Sequence, residues 1–411
     1  MNLFDELVNN TLKLIAFPSV KGEAEEGAPF GRENRGALDF TLALAKKLGF
    51  KIKDLDGYAG YAEIGEGELF AVLGHLDVVP FGEGWTKSPL GEIDGGYIYG
   101  RGIMDNKGPT LSALYAAKRL LDEGYTPVRR LRFIFGCDEE SGGWGCMKRY
   151  AATEEMPVLG FSPDSDFPVI FAEKGIVNYK ISLPISKNIK ITAGLRPNVV
   201  PNACEAEVNG LKLSTKGTSA HAAHPELGDN AVIKMLRILS GEHPSIKLIY
   251  ENLSDYYGEN CGLAMSDEPS GKLTVNLGMI GCEEEKIWVV VDIRYPVTKT
   301  EDEVLKRLAD AFPDAEIEKT HFHLPLYVEK SHPLVQSLLA SYTKVTGDAA
   351  EPIAIGGGTY ARAIPAGVAF GPQFPDVTST IHSPDERVSM ADFRKMFEIY
   401  YEALKELCFK K

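Results

Sequence analysis

The stretch that decides the fold is "ELFAVLGHLDVVP", residues 68–80. Its apolar run is continuous rather than alternating, as in strands covered on both faces. It ends in His75 and Asp77. Residues i and i+2 of a strand project to the same side, so the two can face one site together. A satisfied buried histidine beside a capping aspartate would read the same way. The decision rests on what accompanies them.

Four other stretches keep the same company. "FIFGCDEESGG" (133–143) sets Asp138, Glu139 and Glu140 at the end of a strongly apolar strand. "YGRGIMDNKGP" (99–109) holds Asp105 in a Gly-rich loop before a helix expected to open at Pro109, a favoured first helical position. "GFSPDSDFP" (160–168) places Asp164 and Asp166 in a Pro-rich turn, and "TSTIHSPDERV" (378–388) supplies His382. Each alone has an ordinary explanation: a turn residue, a solvated strand end, a surface histidine. Together they offer two histidines and several carboxylates. That set suits zinc or a similar divalent ion, and a pair of ions needs a bridging carboxylate.

The rest of the chain frames these residues. At 411 residues it exceeds what one hydrophobic core usually supports, so two domains are expected. A net charge of −14 argues against nucleic-acid or anionic-membrane surfaces. No stretch has the apolar length of a membrane span, and Asp5 and Glu6 stand where a signal peptide needs basic residues. Six scattered cysteines without a C-x-x-C pair fit reduced thiols and a cytoplasmic location. Helical periodicity marks 2–16, 36–48, 109–123, 229–240, 301–311, 333–346 and 390–408. Helices interleaved with buried strands predict an α/β fold with a mostly parallel central sheet flanked by helices, whose ligands gather beyond the strands' carboxyl ends. Strands dominate from about 181 to 324. The expected layout is therefore a catalytic domain from 1–180 and 325–411, with a smaller α+β domain, 181–324, inserted into it.

The ordered set "GHLDVVP…GWTKSPLG…YGRGIMDNKG…DEESG…FSPDSDFP…GTSAHAAHP…IRYP…IGGGTYAR…HSPDE" resembles the co-catalytic zinc metallopeptidases that include aminoacylases, carboxypeptidase G and carnosinases. It is most similar to their dipeptidase V branch, through "SPDSDFP", "GGGTYAR" and "ENLSDYYGENCG". The resemblance covers nearly the whole chain and implies two divalent ions, zinc before manganese or cobalt. His75 and Asp164 would hold one, Glu140 and His382 the other, and Asp105 would bridge them, with Asp166 the rival of Asp164. Asp77 would orient His75 by accepting its second ring N–H. Glu139 would be the general base that activates a water lying between the metals. His221 would donate to the oxyanion, with His224 a nearby decoy. Asn198, Arg294, Gly356, Gly357, Gly358 and Thr359 would contact substrate. Aspartate at 164 accompanies the aminopeptidase and dipeptidase members.

The implied activity is hydrolysis of dipeptides with a free amino terminus. Deacylation of N-acyl amino acids at the same site is the alternative, and a non-catalytic metal- or peptide-binding protein a third, which Glu139 beside Glu140 disfavours. One departure stands out. Few residues separate "EAEV" (205–208) from "KGTSAH" (216–221), where the dipeptidase V lid carries a helix and a further strand. The expectation that such a lid favours a monomer over a homodimer is correspondingly weaker.

Overall fold

The computed structural model describes residues 2–411. The chain divides into two compact units. The first runs to Phe171 and resumes over Val328–Ile353 and Thr359–Lys411; the second comprises Ala172–Tyr327 with Ala354–Gly358. Strand Gly175–Pro184 runs through the boundary expected at 180/181 and lies wholly in the second unit, hydrogen-bonded on both edges to strands of that unit.

The sheet of the first unit has the order Lys51–Asp54, Ala59–Ile64, Arg130–Gly136, Leu69–His75, Leu159–Ser162, Ala366–Ala369, Ile170–Glu173. Its four central strands are parallel to one another, and the outer pairings are antiparallel. Leu69–His75 lies among them with every residue buried, which is why its sequence shows no polar alternation. Helices Leu3–Ile15, Lys107–Asp122, Pro333–Thr346 and Met390–Cys408 pack as a layer in which Lys107–Asp122 touches both Leu3–Ile15 and Met390–Cys408. Gly74 permits one close approach: a Cβ there would lie 2.1 Å from Thr110 Oγ1 and 2.7 Å from Asn106 Oδ1.

The helix after Asp105 starts at Lys107, not at Pro109 as expected. Pro109 falls within its first turn, where backbone N–H groups have no intrahelical acceptor in any case. No helix among the described residues is long and apolar enough to cross a membrane. The six cysteines are free thiols, and all but Cys282 are buried.

The second unit has an antiparallel sheet ordered Thr274–Glu283, Lys286–Tyr295, Gly175–Pro184, Glu316–His323. Alternate residues such as Val289, Val291 and Ile293 enter its core beside Val232, Leu236, Ile246 and Val304 from helices Ala231–Leu239, Pro244–Leu253 and Glu301–Ala311. Helix Pro244–Leu253 escaped the periodicity; proline at its start and the His243 ring accepting from Ser245 N–H mark its entry. The short segment after "EAEV" is a hairpin: Ala203–Val208 pairs with Leu211–Lys216 across Asn209 and Gly210. Both turn residues have positive φ, 52° and 82°, as an Asn-Gly two-residue turn requires.

Candidate metal centre

Three adjacent parallel strands end side by side. His75 is paired in register with Gly136, so the chain beyond Gly136 delivers Cys137–Glu140 next to His75. Strand Leu159–Ser162, on the other edge of Leu69–His75, delivers Asp164 two residues past its end. The site therefore lies beyond the carboxyl ends of the parallel strands, where open α/β sheets place ligands. Asp105 comes from the loop before helix Lys107–Asp122. Asn106 ties that loop to the strand ends: its amide donates to the Pro163 carbonyl, and its Oδ1 accepts from Thr110 Oγ1 at 2.8 Å.

The two oxygens of Asp105 face opposite partners. Oδ1 lies 2.9 Å from His75 Nε2, which is 3.6 Å from Asp164 Oδ1. Oδ2 lies 2.9 Å from His382 Nε2, which is 3.2 Å from Glu140 Oε1. One carboxylate thus stands between two sets, each of one imidazole and one further carboxylate. Donor atoms of His75, Asp105 and Glu140 all lie within 4.8 Å of one another. Imidazole nitrogen with carboxylate oxygen is a donor set for zinc and its first-row neighbours, and the residues present fit two such ions sharing Asp105.

Electrostatics point the same way. Burial pushes Glu139 well above the usual carboxylate range, with the Asp164 charge adding to it. Burial and the Asp105 charge also raise Glu140, and lift Asp164 to about 7. Burial opposes a charge on His75, yet the nearby Asp164 and Asp105 carboxylates still raise it. His382, likewise opposed by burial, is raised to about 11 through Asp105 and Glu140. Crowded carboxylates of this kind call for positive charge, which divalent cations supply.

Asp77 has two uses. The nearest acceptor to His75 Nδ1 is the Asp77 backbone carbonyl at 3.0 Å; its carboxylate is 3.6 Å away. The strand ends at His75, so side-chain alternation does not extend to Asp77. The carboxylate also accepts the backbone N–H groups of Glu139 (3.2 Å) and Glu140 (2.9 Å), so it orients the glutamate pair as well as standing beside the imidazole. Asp166 sits in the two-residue strand Ser165–Asp166 beside Pro372–Gln373. Asp164, and not Asp166, is the one within ion-pair distance of His75.

The remaining expected residues, apart from Thr359, belong to the second unit. His221 Nδ1 accepts the Ala223 N–H at 3.2 Å, which leaves the proton of a neutral ring on Nε2. Asn198 is its neighbour: Ala222 N–H donates to the Asn198 carbonyl, and Val199 bridges to His221. Arg294 is buried and its fork is engaged by Asp292, through Nε at 2.5 Å and Nη2 at 3.0 Å, while Nη1 donates to the Gly356 carbonyl. Its charge is therefore already matched within the unit. Gly356 packs against Ala223, where a Cβ would come within 2.8 Å, and a Cβ at Gly357 would meet only Ile355 Cδ1 at 3.6 Å. Gly358 closes that segment, and Thr359 opens the next part of the first unit, its hydroxyl accepting from Ala361 N–H. His224 is exposed, 3.4 Å from Glu226.

The sequence profile of Peptidase family M20/M25/M40 matches residues 71–406. The chain belongs to this family. A Bacillus subtilis (strain 168) relative described as "Putative dipeptidase YtjP" is 36% identical, covering 98% of this chain and 97% of its own. A Staphylococcus aureus (strain USA300) relative with the same description, SAUSA300_1697, is 33% identical over the same shares. The Bacillus alignment spans 452 positions, more than the 411 residues here, so that relative carries segments without a counterpart in this chain. Among solved structures, the fold is similar to an M20 family metallo-carboxypeptidase, Sso-CP2 from Sulfolobus solfataricus, with TM-score 0.66 at 17% identity, covering 98% of this chain and 99% of that one. This M20-family chain is thus a hydrolase of peptide bonds with a mainly parallel catalytic sheet.

Several residues around the candidate centre were passed over in the sequence. Tyr360 is buried edge-on to the His75 ring at 6.0 Å, with its hydroxyl 2.7 Å from Cys146 Sγ. Arg101 and Glu386 form a fully buried ion pair. Both lie inside stretches singled out for a neighbour, "YGRGIMD" for Asp105 and "HSPDE" for His382.

Proposed function

We propose that this M20 peptidase is a di-zinc dipeptidase acting on dipeptides with a free amino terminus. The observation that carries the reading is Asp105 standing between the His75/Asp164 and His382/Glu140 pairs, with Glu139 adjoining one ligand. Two divalent ions held by these five residues would supply Lewis-acid activation of a water and of the scissile carbonyl. Glu139 takes the proton of the attacking water and hands it to the leaving amine. Asp77 fixes the backbone of Glu139 and Glu140 so that one carboxylate serves as ligand and its neighbour as base. Tyr360 and the Asp77 carbonyl set the His75 ring.

In this reading the first unit is the catalytic domain and the second supplies substrate contacts. His221 offers its Nε2–H to the carbonyl oxygen as it gains charge. Asn198 and the backbone of Gly357, Gly358 and Thr359 contact the peptide. Arg294, matched by Asp292, acts by holding the glycine segment through Gly356 rather than as an unpaired cation. The descriptions of the relatives support a dipeptide substrate, and the excess of carboxylates, Asp166 included, favours an ammonium at its amino end.

The test is turnover of a panel of free dipeptides, tripeptides, N-acetyl dipeptides and N-acetyl amino acids. Free dipeptides should be hydrolysed, and N-acetylation should depress kcat/KM at least tenfold. Preference for N-acetyl amino acids over every free dipeptide would make the protein a deacylase.

A further inference from the structure

His382 is an unusual ligand for a site built on strand ends. Its side chain is half exposed, and it sits on a loop where His382 and Asp385 both take positive φ, 60° and 55°. Left-handed backbone at non-glycine residues is strained, so something must hold this loop.

The next acidic pair does. Asp385 Oδ1 accepts the backbone N–H groups of Thr86 (2.8 Å) and Lys87 (2.9 Å), and its Oδ2 accepts the Thr86 hydroxyl at 2.7 Å. Glu386, fully buried, turns the other way. Its Oε1 accepts backbone N–H from Gly102 (3.1 Å), Met104 (2.9 Å) and Asp105 itself (3.3 Å), and its Oε2 accepts from Arg101 at 2.8 Å. Gly100 N–H donates to the Glu386 carbonyl at 3.0 Å. Arg101 is held in turn over the Trp85 ring, 5.2 Å from its centre, and donates to the Phe81 carbonyl. Segments 81–87, 101–105 and 382–386 are therefore tied into one body. The tie meets the bridging ligand at its own backbone.

We propose that Asp385 and Glu386 are positioning residues that set the spacing between His382 and Asp105, and through it the affinity of the metal position formed by His382, Glu140 and Asp105. The His75/Asp164 position rests on paired strand ends and meets the clamp only through the bridging Asp105, whose backbone N–H is held by Glu386 and not by Asp385. The proposal rests on the di-metal reading above.

The test is titration of metal-stripped, full-length protein with Zn²⁺ in a competing chelator, and with Co²⁺ followed by its visible spectrum. His382→Ala marks loss of the second position. Asp385→Ala should bind the first ion as wild type does and the second roughly 10–100-fold more weakly, the effect expected when a ligand's supporting partner is removed. Asp385→Asn should restore near wild-type affinity, because its Oδ1 still accepts both N–H groups. Glu386→Ala, which also frees the Asp105 backbone N–H, should weaken the second position at least as much; if it does not fold, the Asp385 pair decides. Equal affinity of Asp385→Ala and wild type for both ions would overturn the clamp, as would equal weakening of both positions. A wild-type protein binding fewer than two ions would overturn the di-metal reading itself, and is distinguishable because no variant enters that measurement.

Discussion

Glu139→Gln is the perturbation that separates base from ligand most cleanly. The amide keeps the size and shape of the carboxylate. What fixes this position is the Glu139 backbone N–H on Asp77 Oδ1 at 3.2 Å, with Glu140 N–H on Oδ2 at 2.9 Å, and the substitution touches neither. The five proposed ligands also remain. Only the capacity to take a proton is lost, and a positioned acid–base group contributes about 10²–10⁴-fold. Converted at about 1.4 kcal/mol per decade, the barrier rises by about 3–5 kcal/mol. Because one residue serves both the attack and the departure of the amine, the upper part of that range is expected in kcat, with KM within a few-fold. The assay is steady-state hydrolysis of a good dipeptide with bound metal measured on the same sample. The acid limb that a carboxylate base imposes on kcat/KM should disappear in the variant. A kcat within tenfold of wild type at full metal occupancy would refute the assignment. Loss of one metal with unchanged turnover per metal would exchange the roles of Glu139 and Glu140.

Dialysis against a chelator should abolish peptide hydrolysis, and two equivalents of zinc or manganese should restore it; full turnover in a demonstrably metal-free sample would sink the di-metal reading. Gly74→Ala places a methyl 2.1 Å from Thr110 Oγ1, and overpacking of this kind costs about 1–3 kcal/mol. It should appear as a lowered denaturation midpoint, and a midpoint equal to wild type would show that helix Lys107–Asp122 can move away freely.

The strand ends that build the site were readable because the runs leading to them are continuously apolar and their polar residues begin where the strands stop. His75, Glu139, Glu140 and Asp164 are legible for that reason. The second use of Asp77 was not, since alternation ceases to predict side-chain direction once the strand ends at His75. Asp292 and Arg294 lie two apart on one strand, so their mutual pairing was accessible to the same rule that joined His75 with Asp77. The buried Arg101–Glu386 pair is a different matter. Its members are 285 residues apart, and a charged residue in sequence reads as solvated unless its partner is known.

The sheet order has a consequence for how the enzyme comes into being. Strand Ala366–Ala369 slots between Leu159–Ser162 and Ile170–Glu173, and it is translated after every other strand of that sheet. His382, Asp385 and Glu386 follow it off the ribosome. Synthesis proceeds at about 5–20 residues per second, so a nascent chain contains His75, Asp105, Glu140 and Asp164 for many seconds before the last proposed ligand, His382, is made. Through that interval the sheet cannot be completed and the candidate centre lacks one imidazole. On the di-metal reading proposed above, the order of synthesis thus leaves the donor set incomplete until the chain beyond Ala369 has emerged.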